Sequence, residues 1–509
     1  MAGVGLAAMV SGCGDAVAPA QVPPPARDAA GSASKAGAKT AARATTPAAP
    51  EVQRFRSRPD LMAPRVIVAR RPPGVGLSAA EPLVLTDTHA SGQQGPLILN
   101  RAGELVWFLP LSDGGTSRLR AFNVRVQQYG GEPVLSWWQG AVVGAHGVGH
   151  YELRDQRYRT VAQVQGANGY AGDLHEFLIT DRGTALFTCY GQATVEIPDH
   201  TGSGSRQGAV WYGVVQEVEI ATGRLLFQWR SIDHVPVTDS YHLPPPPDPT
   251  APWDYFHVNS ISVDPADGNL VISARNTWTV YKVDRGSGAV IWRLGGRESD
   301  FALGRGAHFA FQHDVTMHPG GVLTIFDNEG GPPNEASRSR GLVLAIDERA
   351  RTAKVARQYL HHPPVLSPAL GSVQLLSGGR AFVGWGDSSW FTEYDARGRP
   401  MLDAHLPAGC ISYRAFEEAW TARPTTRPAL AVARAGHDAE LYASWNGATE
   451  HRRWRVLSGR DAASLRASAT VDVKGFETRI TVGRPGAWVA VEALDAHGKL
   501  LGRSNPERV

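Results

Sequence analysis

The sequence predicts an all-β protein: a six-bladed β-propeller followed by a small β-sandwich. Three observations carry this. Gly 56 and Pro 35 stand beside 14 Trp and only 19% charged residues, a composition suited to many short strands joined by tight turns. A D-x-x-x-G-like turn followed by an apolar strand returns at intervals of roughly 50 to 65 residues. Past residue 409 that period stops and a run of shorter alternating strands replaces it.

Residues 1–14, MAGVGLAAMVSGCG, are a short apolar stretch ending in small residues and a cysteine, as a secretory segment does near its cleavage site. Val10-Ser11-Gly12-Cys13 resembles the lipobox of bacterial lipoproteins, although no Lys or Arg precedes it. The expectation is an exported, extracytoplasmic protein with a lipid at Cys13. Residues 15–52 are rich in Ala, Pro, Ser and Thr, have little to bury, and read as a disordered tether.

The propeller is expected over 53–408. Each repeat offers two hairpins, hence a four-stranded antiparallel sheet. The inner hairpins read RVIVARR with PLVLTDT, FNVRVQQYGGEPVLSWW, HEFLITDRGTALFTCY, HVNSISVDPADGNLVISAR, HDVTMHPGGVLTIFDN and GSVQLLSGGRAFVGWG. The outer hairpins are marked by NRAGELVWFL, YELRDQRYRTVAQV, EIATGRLLFQW, VDRGSGAVIWRL, IDERARTAKVARQYL and YDARGRPMLDAHL. Residues 409–424 read as a linker, and 425–509 as a sandwich resembling a fibronectin type III module, with tryptophans in its core. Cys189 and Cys410 either pair or stay as two buried thiols.

A net charge of +3 provides no field for nucleic acid or a membrane surface as main partner. A small neutral or weakly anionic ligand stays open. In a propeller blade the first strand lies nearest the axis, so the residues that open it share one mouth of the channel. His175, His257 and His313 open three adjacent inner hairpins, whereas Phe122-Asn123 and Gly371-Ser372 stand at that place in the second and sixth. Each imidazole has carboxylates or amides near it in sequence: Asp173 and Glu176, Asp254 and Asn259, Asp314 with Asp327 and Asn328. Carboxylates beside imidazoles fix tautomers, which suits acid/base work, nucleophilic attack or metal ligation. Arg338 and Arg340, in the polar loop after Asn328, are candidate anion-holding guanidiniums. Trp253, Tyr255, Phe256 and Trp390 either stack on a substrate ring or belong to the core.

DLHEF, HVNSI, QHD with IFDN, SRSRGLVLAID and PLILNRAGELVWF together resemble the bacterial arylsulfotransferase family, over about residues 55–408. The resemblance implies transfer of a sulfuryl group from a phenyl sulfate ester to a phenolic acceptor without a nucleotide donor, cofactor or metal. It implies a transient sulfohistidine, with His257 and His313 as site histidines and Arg340, or else Arg338, holding sulfate oxygens. The family's nucleophile comes from the blade after QHD, where this chain has Gly371-Ser372. His257, His313 or His175 takes over that role, or the chain is a lipid-anchored propeller that binds without transferring. A quinone-binding dehydrogenase, suggested by the Gly-to-Trp turns, lacks a clustered Asp/Glu/Asn set for its calcium; a zinc ion on the three histidines is a further alternative.

Overall fold

The computed structural model describes residues 52–71, 83–88, 93–111, 119–200, 204–246, 252–330 and 337–509. Cys13, the segment around it and the tether up to residue 51 lie outside the described residues. No α-helix occurs among the described residues.

Strand pairing gives consecutive antiparallel sheets. The second runs from Arg120–Tyr129 through Glu132–Val143 and His146–Arg154 to Thr160–Val164. The third comprises Phe177–Ile179, Thr184–Pro198, Ser205–Glu219 and Leu225–Arg230, and the fourth Val258–Val263, Leu270–Ala274, Thr279–Val283 and Val290–Gly295. The fifth holds His313–His318, Val322–Asp327, Arg340–Asp347 and Thr352–Tyr359, and the sixth Ser372–Leu375, Ala381–Gly384, Trp390–Tyr394 and Pro400–His405. The first strand of each sheet touches the first strand of the next, and this chain of contacts closes on itself. That closed ring of sheets is a β-propeller, with no open edge at its axis.

The hairpins follow their turn chemistry. In Pro319-Gly320-Gly321 both glycines have positive φ, +78° and +70°, and a Cβ on Gly321 would stand 2.5 Å from the Ile346 carbonyl oxygen. Five of the six expected inner hairpins pair as read, for instance Phe177 with Phe187 and Ser372 with Gly384.

The first sheet differs from expectation. Its innermost strand is Ala415–Glu418, paired with Leu83–Thr88, followed by Gly95–Leu99 and Leu105–Phe108. Ile67–Arg70, expected to pair with PLVLTDT, instead adds to the outer edge of the sixth sheet beside Pro400–His405. Residues 409–424 are therefore part of the ring and not a linker. The alternating pattern of a strand fixes its pairing face but not its neighbour, which here is more than 300 residues away.

Beyond the ring, two sheets share one core. One holds Ala429–Ala435, Asp438–Ser444 and Glu477–Val482; the other holds Arg453–Gly459, Arg466–Asp472, Trp488–Leu494 and Leu500–Arg503. Trp445 and Trp454 are buried between them with Leu441, Ile480 and Val491, as the tryptophan placement predicts. This sandwich is docked onto the ring. The Asn446 side chain accepts from Phe108 N at 3.0 Å and donates to its carbonyl at 2.9 Å, and Tyr158 Oη donates to Gly447 O at 3.0 Å. Cys189 and Cys410 are buried in different cores and are not joined to each other, so the pairing alternative does not occur.

Candidate functional site

The innermost strands share a local distortion where they begin. Asn123, His257, Asp314 and Leu370 all have positive φ, between 51° and 66°. The ladder slips just after Phe122, Val258 and His313. A bulge with a left-handed residue bends the strand and re-aims the side chains at its mouth, at a backbone cost that recurs at functional sites.

His175, His257 and His313 are all buried here, and each is held through Nδ1. His175 Nδ1 donates to Asp173 Oδ2 at 2.6 Å. That carboxylate also takes the Gly147 N–H at 2.6 Å, the His175 N–H at 3.0 Å and the Thr188 hydroxyl at 2.9 Å. Burial alone would raise Asp173, but the His175 imidazole holds it down at about 2. His257 Nδ1 donates to Asp254 Oδ2. His313 Nδ1 lies 2.8 Å from Asn328 Oδ1 and 3.0 Å from Phe311 O. A proton committed at Nδ1 leaves the lone pair on Nε2. In His313 that lone pair accepts the Leu370 N–H at 3.3 Å. The rings of His175 and His257 meet edge to face at 4.8 Å.

Burial, reinforced by the nearby Arg275 guanidinium, drives His257 down to about 3 against the opposing Asp254 carboxylate, and drives His313 well below its ordinary value. Both are neutral at physiological pH. Arg275 follows the second strand of the fourth sheet, and its backbone N–H donates to His257 O at 2.9 Å. Its charge also acts on Tyr190.

Asp254 is positioned by an added strand. Trp253–Asp254 runs parallel to the long strand Ser205–Glu219, with Asp254 opposite Trp211. The same Asp254 Oδ2 lies 3.2 Å from His146 Nε2. The His146 ring packs 4.0 Å from Tyr190 and 4.9 Å from Trp211, giving the histidines an aromatic wall. One ligand atom each from His146, Asp254 and His257 lies within 4.8 Å of the others, close enough to hold a divalent ion. The hydrogen bonds just given already account for that convergence.

Arg414 occupies the ring position of the first sheet. Its guanidinium is fully buried and reaches four other sheets: Asn123 Oδ1 at 3.3 Å, Glu176 Oε1 and Oε2 at 3.1 and 3.0 Å, Asn259 O at 3.2 Å and Asp314 Oδ1 at 3.4 Å. It fills the axis beside the histidines.

Several expected site residues lie elsewhere. Arg340 is on the third strand of its sheet, away from the axis, where Nε binds Asp327 Oδ2 at 2.9 Å and Nη2 binds His308 O at 2.7 Å. Asp327 is thus the partner of Arg340 and of the Ala310 N–H, at 3.0 Å. Arg338 is exposed. Tyr255 and Phe256 belong to the core, the Tyr255 hydroxyl donating to Ser231 Oγ at 2.8 Å. Trp390 packs on His361 and His405. Asn259 and Asn328 do lie at the site: Asn259 Nδ2 donates to Gln312 O at 2.6 Å, and Asn328 Nδ2 to Ser367 O at 2.8 Å. Sequence reasoning missed His146, Arg275 and Arg414. A register comparison extended to the ends of second strands and to residues past 409 reaches the last two.

Residues 125–406 match the family described as Arylsulfotransferase (ASST). No curated protein matches the chain. Among solved structures, a protein of unknown function from Bacteroides caccae is similar at 12% identity and TM-score 0.38, over 66% of this chain and 98% of that one. A protein from Lactobacillus plantarum is similar at 15% identity and TM-score 0.35, over 80% and 98%. Virginiamycin B lyase from Staphylococcus aureus is similar at 8% identity and TM-score 0.31, over 63% and 90%.

Proposed function

Because the chain belongs to the arylsulfotransferase (ASST) family, we propose that it transfers a sulfuryl group from a phenyl sulfate ester to a phenolic acceptor, with His257 as nucleophile. The observation that carries this reading is the pair of buried imidazoles, His175 and His257, tied at Nδ1 to carboxylates with Nε2 left as the reactive nitrogen. His257 is the member that is neutral, backed by a carboxylate and next to an arginine.

In this reading the Nε2 lone pair of His257 attacks sulfur. The S–O bond to the aryl group breaks and its electrons leave on the phenolate. His175, hydrogen-bonded at Nδ1 to Asp173, delivers from Nε2 the proton that the leaving oxygen needs. The N-sulfonated His257 then passes its group to an acceptor oxygen whose proton returns to His175, which splits one difficult displacement into two. The Arg275 guanidinium neutralises charge on the equatorial oxygens. Tyr190, His146 and Trp211 supply a face for the aryl ring. His313, with Nε2 accepting from Leu370, positions the others.

A binding protein without transfer is the second reading, favoured by Gly371-Ser372 in the sixth sheet, where the family resemblance implies a nucleophile. Export with lipidation at Cys13 belongs to either reading, supported by the VSGC stretch and tested by labelling with a radioactive fatty acid.

The deciding experiment incubates the protein with 4-nitrophenyl sulfate with and without phenol. Transfer predicts 4-nitrophenol release that rises with phenol and vanishes in His257→Ala. No release from folded protein under either condition leaves the binding reading.

A further inference from the structure

A cavity lies away from the axis, at the end of the fourth and fifth sheets where Val258, Ala274, Thr279 and Gly295 pair in line. Its volume is about 390 Å³ and its walls include Trp278, Phe301, Leu303 and Phe309, with His308 and Glu329 as polar groups. Trp278 stacks on Tyr241 at 3.8 Å with the planes 5° apart, and the Arg297 guanidinium covers the Tyr241 ring at 4.3 Å. One face of the indole is therefore covered by the Tyr241 ring, which Arg297 covers in turn.

The backbone around this cavity is strained. Trp278 and Glu329, both on the lining, have φ of 51° and 49°, and Phe311 beside it has φ of 55°. Gly295 also lines it at φ +80°, where a Cβ would stand 2.7 Å from Trp278 O and 2.8 Å from the Phe309 ring. Left-handed conformations of large side chains are costly and collect where ligands are held. A space of this size, with aromatic walls and polar groups at Ser299, His308 and Glu329, fits a small planar ligand that carries a polar substituent.

We propose that this cavity binds a planar aromatic molecule carrying a hydroxyl, of the phenol or naphthol class, separately from the axial histidines. The ring stacks among Trp278, Phe301 and Phe309, and the hydroxyl donates to the Glu329 carboxylate or the His308 imidazole. The cavity touches Ala310 and Glu329, the chain neighbours of Phe311 and Asn328, whose oxygens hold His313 Nδ1. Glu329 N also donates to Ala310 O at 2.9 Å. The cavity thus borders the segments that hold Nδ1 of His313. The proposal stands without the transfer reading, since it concerns equilibrium binding alone.

The test is equilibrium dialysis of 2-naphthol, neutral at pH 7, against the full chain and three variants. Wild type is expected to bind one equivalent beyond any taken up at the axial histidines, and His257→Ala is expected to keep that equivalent with the same Kd. Leu303→Trp, which fills the cavity from its rim, and Trp278→Ala are each expected to weaken that Kd at least tenfold. Circular dichroism identifies any variant that fails to fold, and Leu303→Trp, an apolar replacement at a partly buried position, keeps the test decisive. Unchanged binding in Leu303→Trp overturns the proposal, as does loss of binding in His257→Ala or no binding to wild type at millimolar 2-naphthol.

Discussion

Arg414 donates to both carboxylate oxygens of Glu176, at 3.1 and 3.0 Å, although one opens the first sheet and the other the third. The pair is buried, and Asp314 is a second carboxylate within 3.4 Å. Removing one partner of such a set leaves the other charge without compensation. Arg414→Met is therefore expected to lose roughly 3–5 kcal/mol of stability, measured by urea unfolding. The triple change with Glu176→Gln and Asp314→Asn should recover part of the loss.

Acid should weaken the fold by a route set at the site. His257 titrates near 3 when folded, mainly because it is buried, and at its ordinary 6.5 when unfolded. Between those values the unfolded chain binds a proton that the folded chain does not, so this contribution is complete above pH 6.5 and falls as pH drops. Asp173, near 2 against an ordinary 3.8, acts in the same sense at lower pH. The expected slope is about 1.4 kcal/mol per pH unit for each such proton. Urea midpoints measured from pH 7 downward should decline from pH 6.5 in wild type and stay flatter in His257→Gln.

The Asp254 carboxylate fixes which nitrogen of His257 carries the proton. Asp254→Asn presents the imidazole with an amide that can donate instead, and the Nε2 lone pair is lost in that tautomer. Release of 4-nitrophenol from 4-nitrophenyl sulfate should fall on the order of 10²-fold or more in kcat, with little change in KM. Asn328→Ala, which leaves Phe311 O on His313, should cost less than tenfold.

Ring closure should depend on four residues far from the other strands of the first sheet. A chain ending at 408 lacks Ala415–Glu418 and exposes the edge of Leu83–Thr88, so aggregation on size exclusion is expected. A chain ending at 424 keeps that strand and should unfold cooperatively.

Much of this architecture was legible because it is local. Glycine turns such as Pro319-Gly320-Gly321 and short alternating runs specify each hairpin within some twenty residues, and the hairpins repeat. The first sheet was not legible, because Ala415–Glu418 reads like any other short strand and only the closing of the ring selects its partner. The histidines were found because innermost strands begin in register. Arg340 was misplaced for a related reason. Sequence distance from Asn328 is short, yet Arg340 sits on the third strand, two strand widths from the axis, and answers to Asp327. Arg275, closer to His257 through one backbone hydrogen bond, carries no motif of its own.

The strand Ala415–Glu418 also orders events on the ribosome. A nascent chain can complete its second to sixth sheets as they emerge, but the axial wall stays open until residue 418 has left the exit tunnel. Arg414 emerges with that strand, so the buried carboxylates of Glu176 and Asp314 wait for their counter-charge until then. The chemistry at the axis is thereby assembled only after the sheets that carry its other residues have emerged.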